Sequence, residues 1–124
     1  MSTRAVYSFK GDGETFHVYK HMDGYPSGAA EALNKALRLA WPLPRFEPDE
    51  FGAAFIAANK NEDGNLRLSH GPESHYDLEY RYEISLVSGE LWIRAFEILY
   101  GDCKYDGPLQ RFAEWAAIFE TDVS

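Results

Sequence analysis

Between residues 78 and 90 the chain alternates strictly in steps of two and then turns tightly. Leu78, Tyr80, Tyr82, Ile84 and Leu86 alternate with Glu79, Arg81, Glu83 and Ser85, a period that a strand produces and a helix does not. Ser88-Gly89 reads as a two-residue hairpin turn, and Glu90 to Tyr100 as the returning strand. Such a turn fixes register: it sets Leu86 opposite Leu91, Ile84 opposite Ile93, Glu83 opposite Arg94, and Tyr80 opposite Glu97. Glu97 thereby falls on the core face between Ala95 and Leu99, a candidate buried carboxylate that must be paired, neutral or at a pocket rim. Trp92, Phe96, Ile98 and Tyr100 share the opposite face. A strand that is apolar on both sides needs a second cover, either the last helix or the connector, or else a partner or a second copy of the chain. These four residues are the candidate interaction face.

The rest of the chain builds outward from this hairpin. Thr3 to Phe9 and Thr15 to Met22 read as strands around the turn Lys10-Gly11-Asp12-Gly13. Asp23-Gly24-Tyr25-Pro26 stops the second strand, and Ser27 is placed to cap a helix to about Ala40, with Ala30, Leu33, Leu37 and Ala40 on one face. Trp41-Pro42-Leu43-Pro44 forces an extended connector, and Pro48, Asp49 and Glu50 open a second helix through Phe51, Phe55 and Ala58, closed by residues 59–65. Leu66 to His70 is a short strand and residues 71–75 a polar loop. Gly101 to Asp106 reads as a loop, and Gly107-Pro108 as the start of a final helix carrying Leu109, Phe112, Ala113, Ala116 and Phe119 on one side and ending at Thr121-Asp122. The expected order is ββααβββα. It describes one α+β domain over residues 1–124, with a mainly antiparallel sheet of about five strands and about three helices.

With 124 residues the chain has the length of one domain and one core. Aromatics make up 15% of it, which supplies both core area and rings for contact surfaces. A single cysteine, Cys103, allows no internal disulfide, which fits a reducing compartment. Lys104 beside it could favour the thiolate, but no resolving cysteine is at hand. No apolar leader or membrane-length run occurs, so the expected location is the cytoplasm, with no membrane partner. A net charge of −8 argues against direct nucleic-acid binding, which favours clustered Lys and Arg.

The densest stretch for function is residues 19–31, where strand, turn and helix start meet. Backbone N–H groups at Ser27, Gly28 and Ala29 would point from a helix start that favours negative charge, and Arg4 and Lys20 on neighbouring strands would add positive charge. The ligand-binding candidates are therefore Arg4, Lys20, His21, Asp23, Tyr25, Ser27 and Gly28. The alternative is architectural: Asp23-Gly24 makes a turn, Pro26 stiffens it, Ser27 caps and Tyr25 packs. Thr3-Arg4-Ala5-Val6-Tyr7, the Gly-Asp-Gly turn and Tyr19-Lys20-His21-Met22-Asp23-Gly24-Tyr25-Pro26 resemble a broad group of uncharacterised small proteins of bacteria and their phages. Those carry tryptophan where Met22 stands here. The resemblance covers about the first third of the chain and implies a phage or prophage accessory protein, with no activity attached.

Catalytic signatures are absent. There is no Gly-x-Ser-x-Gly, phosphate-binding loop or dinucleotide fingerprint, and Ser69-His70 and Ser74-His75 lack a third member. His17 and His21 share a strand face, but about 13 Å of extended chain between them prevents both from holding one ion. No catalytic residue, metal site or cofactor is expected. The leading expectation is a non-catalytic binding or regulatory protein acting on another protein or on itself. The alternatives are a small domain for an anionic or phosphorylated molecule, using Arg4, His21, Asp23 and Tyr25, and an acidic inhibitor of host defence that mimics nucleic acid.

Overall fold

A computed structural model describes residues 3–11, 13–39, 47–60, 66–71, 77–99 and 101–123, with the side chains of 120–123 excepted. The described elements are β1 (Arg4–Lys10), β2 (Thr15–Lys20), α1 (Pro26–Leu39), α2 (Pro48–Asn59), β3 (Leu66–Ser69), β4 (Leu78–Val87), β5 (Glu90–Glu97), β6 (Asp102–Pro108) and, after a 3-10 turn at Leu109–Arg111, α3 (Phe112–Val123). Three helices and a six-stranded mixed sheet make an α+β fold. The connector at 41–44, Tyr100, and the segments 61–65 and 72–76, which contain Ser74-His75, lie outside the described residues.

The sheet runs in the order β3-β2-β1-β4-β5-β6. Every neighbouring pair is antiparallel except β1 and β4, which run parallel at its centre. The β4–β5 hairpin has the register read from its turn, with Leu86 facing Leu91, Ile84 facing Ile93, Glu83 facing Arg94 and Tyr80 facing Glu97. Ser88 and Gly89 sit at φ 53° and 78°, the pair of positive values that a twist-matched two-residue turn requires.

Alternation sorts the sheet into two faces. Ala5, Tyr7, Phe9, Val18, Tyr82, Ile84, Leu91, Ile93 and Ala95 point to one side and join α1, α2 and α3 in a single core. Helix α2 rests on β1, β2 and β4, α3 on β6, and α1 lies between α2 and α3. An aromatic chain runs through this layer: Tyr7 lies 4.6 Å from Phe55 and 5.1 Å from Tyr82, and Tyr82 lies 5.8 Å from Phe112. Rings at these separations add edge and offset attraction to their burial.

Several boundaries differ from the sequence reading. A sixth strand occupies Asp102–Pro108, where a loop and a helix start were expected, because these residues close the sheet against β5 with a bulge at Ala95/Phe96. The final helix therefore begins later, at Phe112, and runs through Thr121-Asp122 to Val123. Strand β2 ends at Lys20 and β5 at Glu97. Helix α1 begins at Pro26, and the Ala29 amide donates to the Tyr25 carbonyl at 2.8 Å. Tyr25 is thus the capping position, Pro26 the first helical residue with no N–H to satisfy, and Ser27 lies inside the helix.

Candidate functional site

The three described helices cover one face of the sheet; the other face carries no described helix, although Val6, Ser8 and Tyr19 at its centre are buried. Cross-strand register builds this second face in rows. One row reads His17, Ser8, Glu83, Arg94 and Asp106 from β2 to β6, and the next reads Arg67, Tyr19, Val6, Arg81, Phe96 and Cys103 from β3 to β6. Arg4 and His21 extend it at one end, and Trp92 lies one rung beyond Arg94. Two groups that the sequence offered separately, the motif residues near 20 and the aromatic strand near 95, are joined on one surface by the parallel β1–β4 pair.

The centre of this face is a bonded network. Ser8 Oγ and His17 Nδ1 are 2.7 Å apart. Arg81 ion-pairs with Glu83, whose other oxygen takes Lys10 Nζ at 3.2 Å. Burial pushes the Glu83 carboxyl up, but hydrogen bonds from Arg81 and Lys10 outweigh it and hold the group below its ordinary value. The Arg81 guanidinium also sits 4.2 Å over the Phe96 ring, a cation–π contact. Burial first, and then the Arg81 charge, lower His17 against the opposing pull of Glu83. Toward β6, Trp92 Nε1 donates to Asp106 Oδ1 at 2.6 Å, and Arg94 Nε lies 3.6 Å from the other Asp106 oxygen.

At the other end, Arg4 Nε and the Tyr19 hydroxyl converge on His21 Nδ1 at 3.3 and 2.8 Å, and Arg4 also pairs with Asp77 at 3.2 Å. An arginine Nε–H only donates, so in the Arg4 contact His21 Nδ1 is the acceptor. Lys20 stands apart from this group. It lies opposite Ala5 on the helix-covered face, is buried, and donates to the Met22 carbonyl at 2.8 Å.

The turn itself is tightly built. Asp23, not Gly24, adopts the left-handed conformation, with φ 58°. Gly24 is needed for close approach: a Cβ there would lie 2.6 Å from that of Ala5. Its amide donates to Thr3 O at 2.9 Å and its carbonyl accepts from the Tyr82 hydroxyl at 2.6 Å. A Cβ on Gly28 would collide with the Asp23 carbonyl, so the protein's own backbone occupies the approach to that part of the helix start. Tyr25 is exposed, its hydroxyl 3.4 Å from Asp23 Oδ1. The seven ligand-binding candidates therefore do not all converge: Arg4 and His21 meet on the helix-free face, Lys20 is buried on the other, Asp23 and Tyr25 form the turn, and Ser27 and Gly28 lie in the first turn of α1.

On the aromatic strand, Trp92, Phe96 and Ile98 are half-buried. The final helix does not cover them. Phe112, Trp115 and Phe119 stack among themselves at 5.6 and 4.9 Å, with Tyr105 5.2 Å from Trp115, in the aromatic layer on the helix-covered side. Glu97 is half-buried rather than enclosed, since the core ends at Ala95, and Lys104 Nζ lies 4.0 Å from it.

This arrangement bears on chemistry. Ser8 is 2% exposed, so its hydroxyl orients His17 rather than meeting a substrate. Burial and the Asp106 carboxylate push the Cys103 thiol up, while Lys104 turns toward Asp102 at 3.5 Å. Among the described residues no three His, Cys, Asp or Glu side chains gather as a metal site requires. No described helix is long and apolar enough to cross a membrane. The Ser8–His17 and Arg81–Glu83–Lys10 contacts were not singled out from the sequence, although the β1–β2 hairpin register would have set Ser8 against His17. No family model, curated protein or solved structure matches the chain.

Proposed function

We propose that this chain is a non-catalytic binding protein that engages another protein through the helix-free face of its sheet. The observation that supports this reading is the placement of Trp92 and Phe96, half-buried beside Arg81 and Arg94, on a face that no described helix covers. Tryptophan and arginine in a partly desolvated setting are the residue types that dominate contact energies. The surrounding charges are already paired within the face, so a partner gains by covering the rings without leaving a carboxylate or guanidinium stranded. A role as a phage or prophage accessory protein rests on the resemblance of the first third alone.

Affinity capture from native-host cells tests this reading with wild type, a Trp92→Ala/Phe96→Ala double variant, and Ile118→Ala on the exposed side of α3 as control. The same captured protein should be retained by wild type and control and lost by the double variant, with melting curves showing that all three are folded. Retention by the folded double variant would reject the face as the contact surface.

A further inference from the structure

The sheet has a second feature, at its β3 edge. Strand β3 pairs with β2 on one side and ends the strand order on the other. Where α2 stops short of this edge, a cavity of about 220 Å³ opens, lined by Val18, Ile56, Lys60, Leu66, Arg67 and Leu68. Leu68 is 77% exposed and Phe16, on the same face of β2, is 49% exposed. The core thus overhangs its helix cover, next to backbone at the sheet edge. Proteins guard such edges by shortness and by lysine, and Lys60 does hold the Leu66 carbonyl at 3.2 Å. Beyond Leu66 the strand retains an apolar step and an arginine.

We infer that this edge receives an extended segment of a partner protein by strand addition, and that the segment reads apolar–acidic–apolar. Register supplies the pattern. Leu66 and Leu68 face the helix side with Lys20 and Val18, whereas Arg67, exposed, faces the helix-free side with Tyr19. A strand laid against β3 places its alternate side chains opposite these same residues. One of them meets the exposed Leu68, another meets the cavity beside the buried Leu66, and the one between meets Arg67. Arg67 makes no ion pair among the described residues, whereas Lys60, on the helix side, is engaged by the Leu66 carbonyl. In a chain of net charge −8, a carboxylate placed opposite Arg67 meets an arginine with no ion pair among the described residues. A second copy adding its own β3 in antiparallel alignment centred on Arg67 would set Arg67 against Arg67, a like-charge pair that disfavours that occupant. This surface is independent of the helix-free face.

The test titrates the isotope-labelled full chain with the blocked peptide Thr-Thr-Leu-Glu-Leu-Thr-Thr, following backbone amides by NMR. Shifts should concentrate at residues 66–69 and along β2. A Leu-Lys-Leu version should bind at least 5-fold more weakly, and a Ser-Glu-Ser version should not bind. Arg67→Glu, a change at an exposed position, should reverse the preference between the Glu and Lys peptides. Absence of shifts at β3 at millimolar peptide, shifts centred elsewhere, or binding indifferent to the central charge in both chains would overturn the inference. Concentration-dependent shifts at β3 without peptide would overturn it in favour of self-association.

Discussion

Tyr7 and Tyr82 stack 5.1 Å apart in the core, yet their hydroxyls have opposite fates. Tyr82 donates to the Gly24 carbonyl at 2.6 Å, whereas the buried Tyr7 hydroxyl has no hydrogen-bond partner among the described residues. Burial first, and then the Asp23 charge, push the Tyr7 phenol far up, so it stays neutral. An unsatisfied buried hydroxyl costs about 1–3 kcal/mol. Tyr7→Phe should therefore leave stability unchanged or raise it, while Tyr82→Phe should lose about 1–3 kcal/mol by stranding a carbonyl. Denaturant unfolding of the two variants measures both, and marked destabilisation by Tyr7→Phe would show that its hydroxyl is bonded.

Gly24→Ala should destabilise by about 1–3 kcal/mol through overpacking against Ala5 rather than through backbone strain. The double variant Ala5→Gly/Gly24→Ala separates these causes, since removing the Ala5 methyl makes room for the new one. The added cost of Gly24→Ala should be smaller in the Ala5→Gly background. An equal cost in both backgrounds would place the strain elsewhere, for example against the Thr3 carbonyl.

The two shifted groups on the helix-free face predict how stability falls in acid. His17 is held below its ordinary value of 6.5, so the unfolded chain binds the proton first as pH drops, and stability declines below about pH 6.5. Glu83 is held below 4.5; its contribution is present above that value and is lost as pH falls through the lower folded value. Unfolding free energy measured from pH 7 to 3 should therefore fall in two stages. His17→Gln should flatten the upper stage and Glu83→Gln the lower. An unchanged slope in both variants would show that neither group governs the acid limb.

The β4–β5 hairpin was legible because its information is local: alternation assigns the faces, and Ser88-Gly89 sets the register. The parallel pairing of β1 with β4 was not legible, because nothing near Val6 or Arg81 in sequence specifies that they meet across more than seventy residues. Knowing that pair would have placed His21, Arg81 and Phe96 on one surface from the outset. Strand β6 was hidden by Asp102, Lys104, Asp106 and Gly107, which read as turn chemistry, although Cys103 and Tyr105 alternate with them. Of the final-helix side read from the sequence, Phe112 and Ala116 are buried and Phe119 is half-buried, whereas Ala113 is exposed, Leu109 precedes the helix in the 3-10 turn, and Trp115, which was not assigned to that side, joins the aromatic layer. Which sheet face they meet depends on strand order, which is non-local.

The final prediction concerns that one-sidedness. Trp92 is half-buried on the helix-free face and donates to Asp106, whereas Phe112 is 1% exposed beneath the other. Phe112→Ala should cost about 3–5 kcal/mol, as emptying a core site does. Trp92→Glu should leave the domain folded with native circular dichroism, because no described helix packs on that side. Its cost should arise locally, from a lost hydrogen bond and a carboxylate set beside Asp106, and Asp106→Asn in the same chain should relieve part of it. If Trp92→Glu instead unfolds the protein and Asp106→Asn brings no relief, then Trp92 is a core residue, and the division of the sheet into a helix-covered and a helix-free face is wrong at its aromatic end.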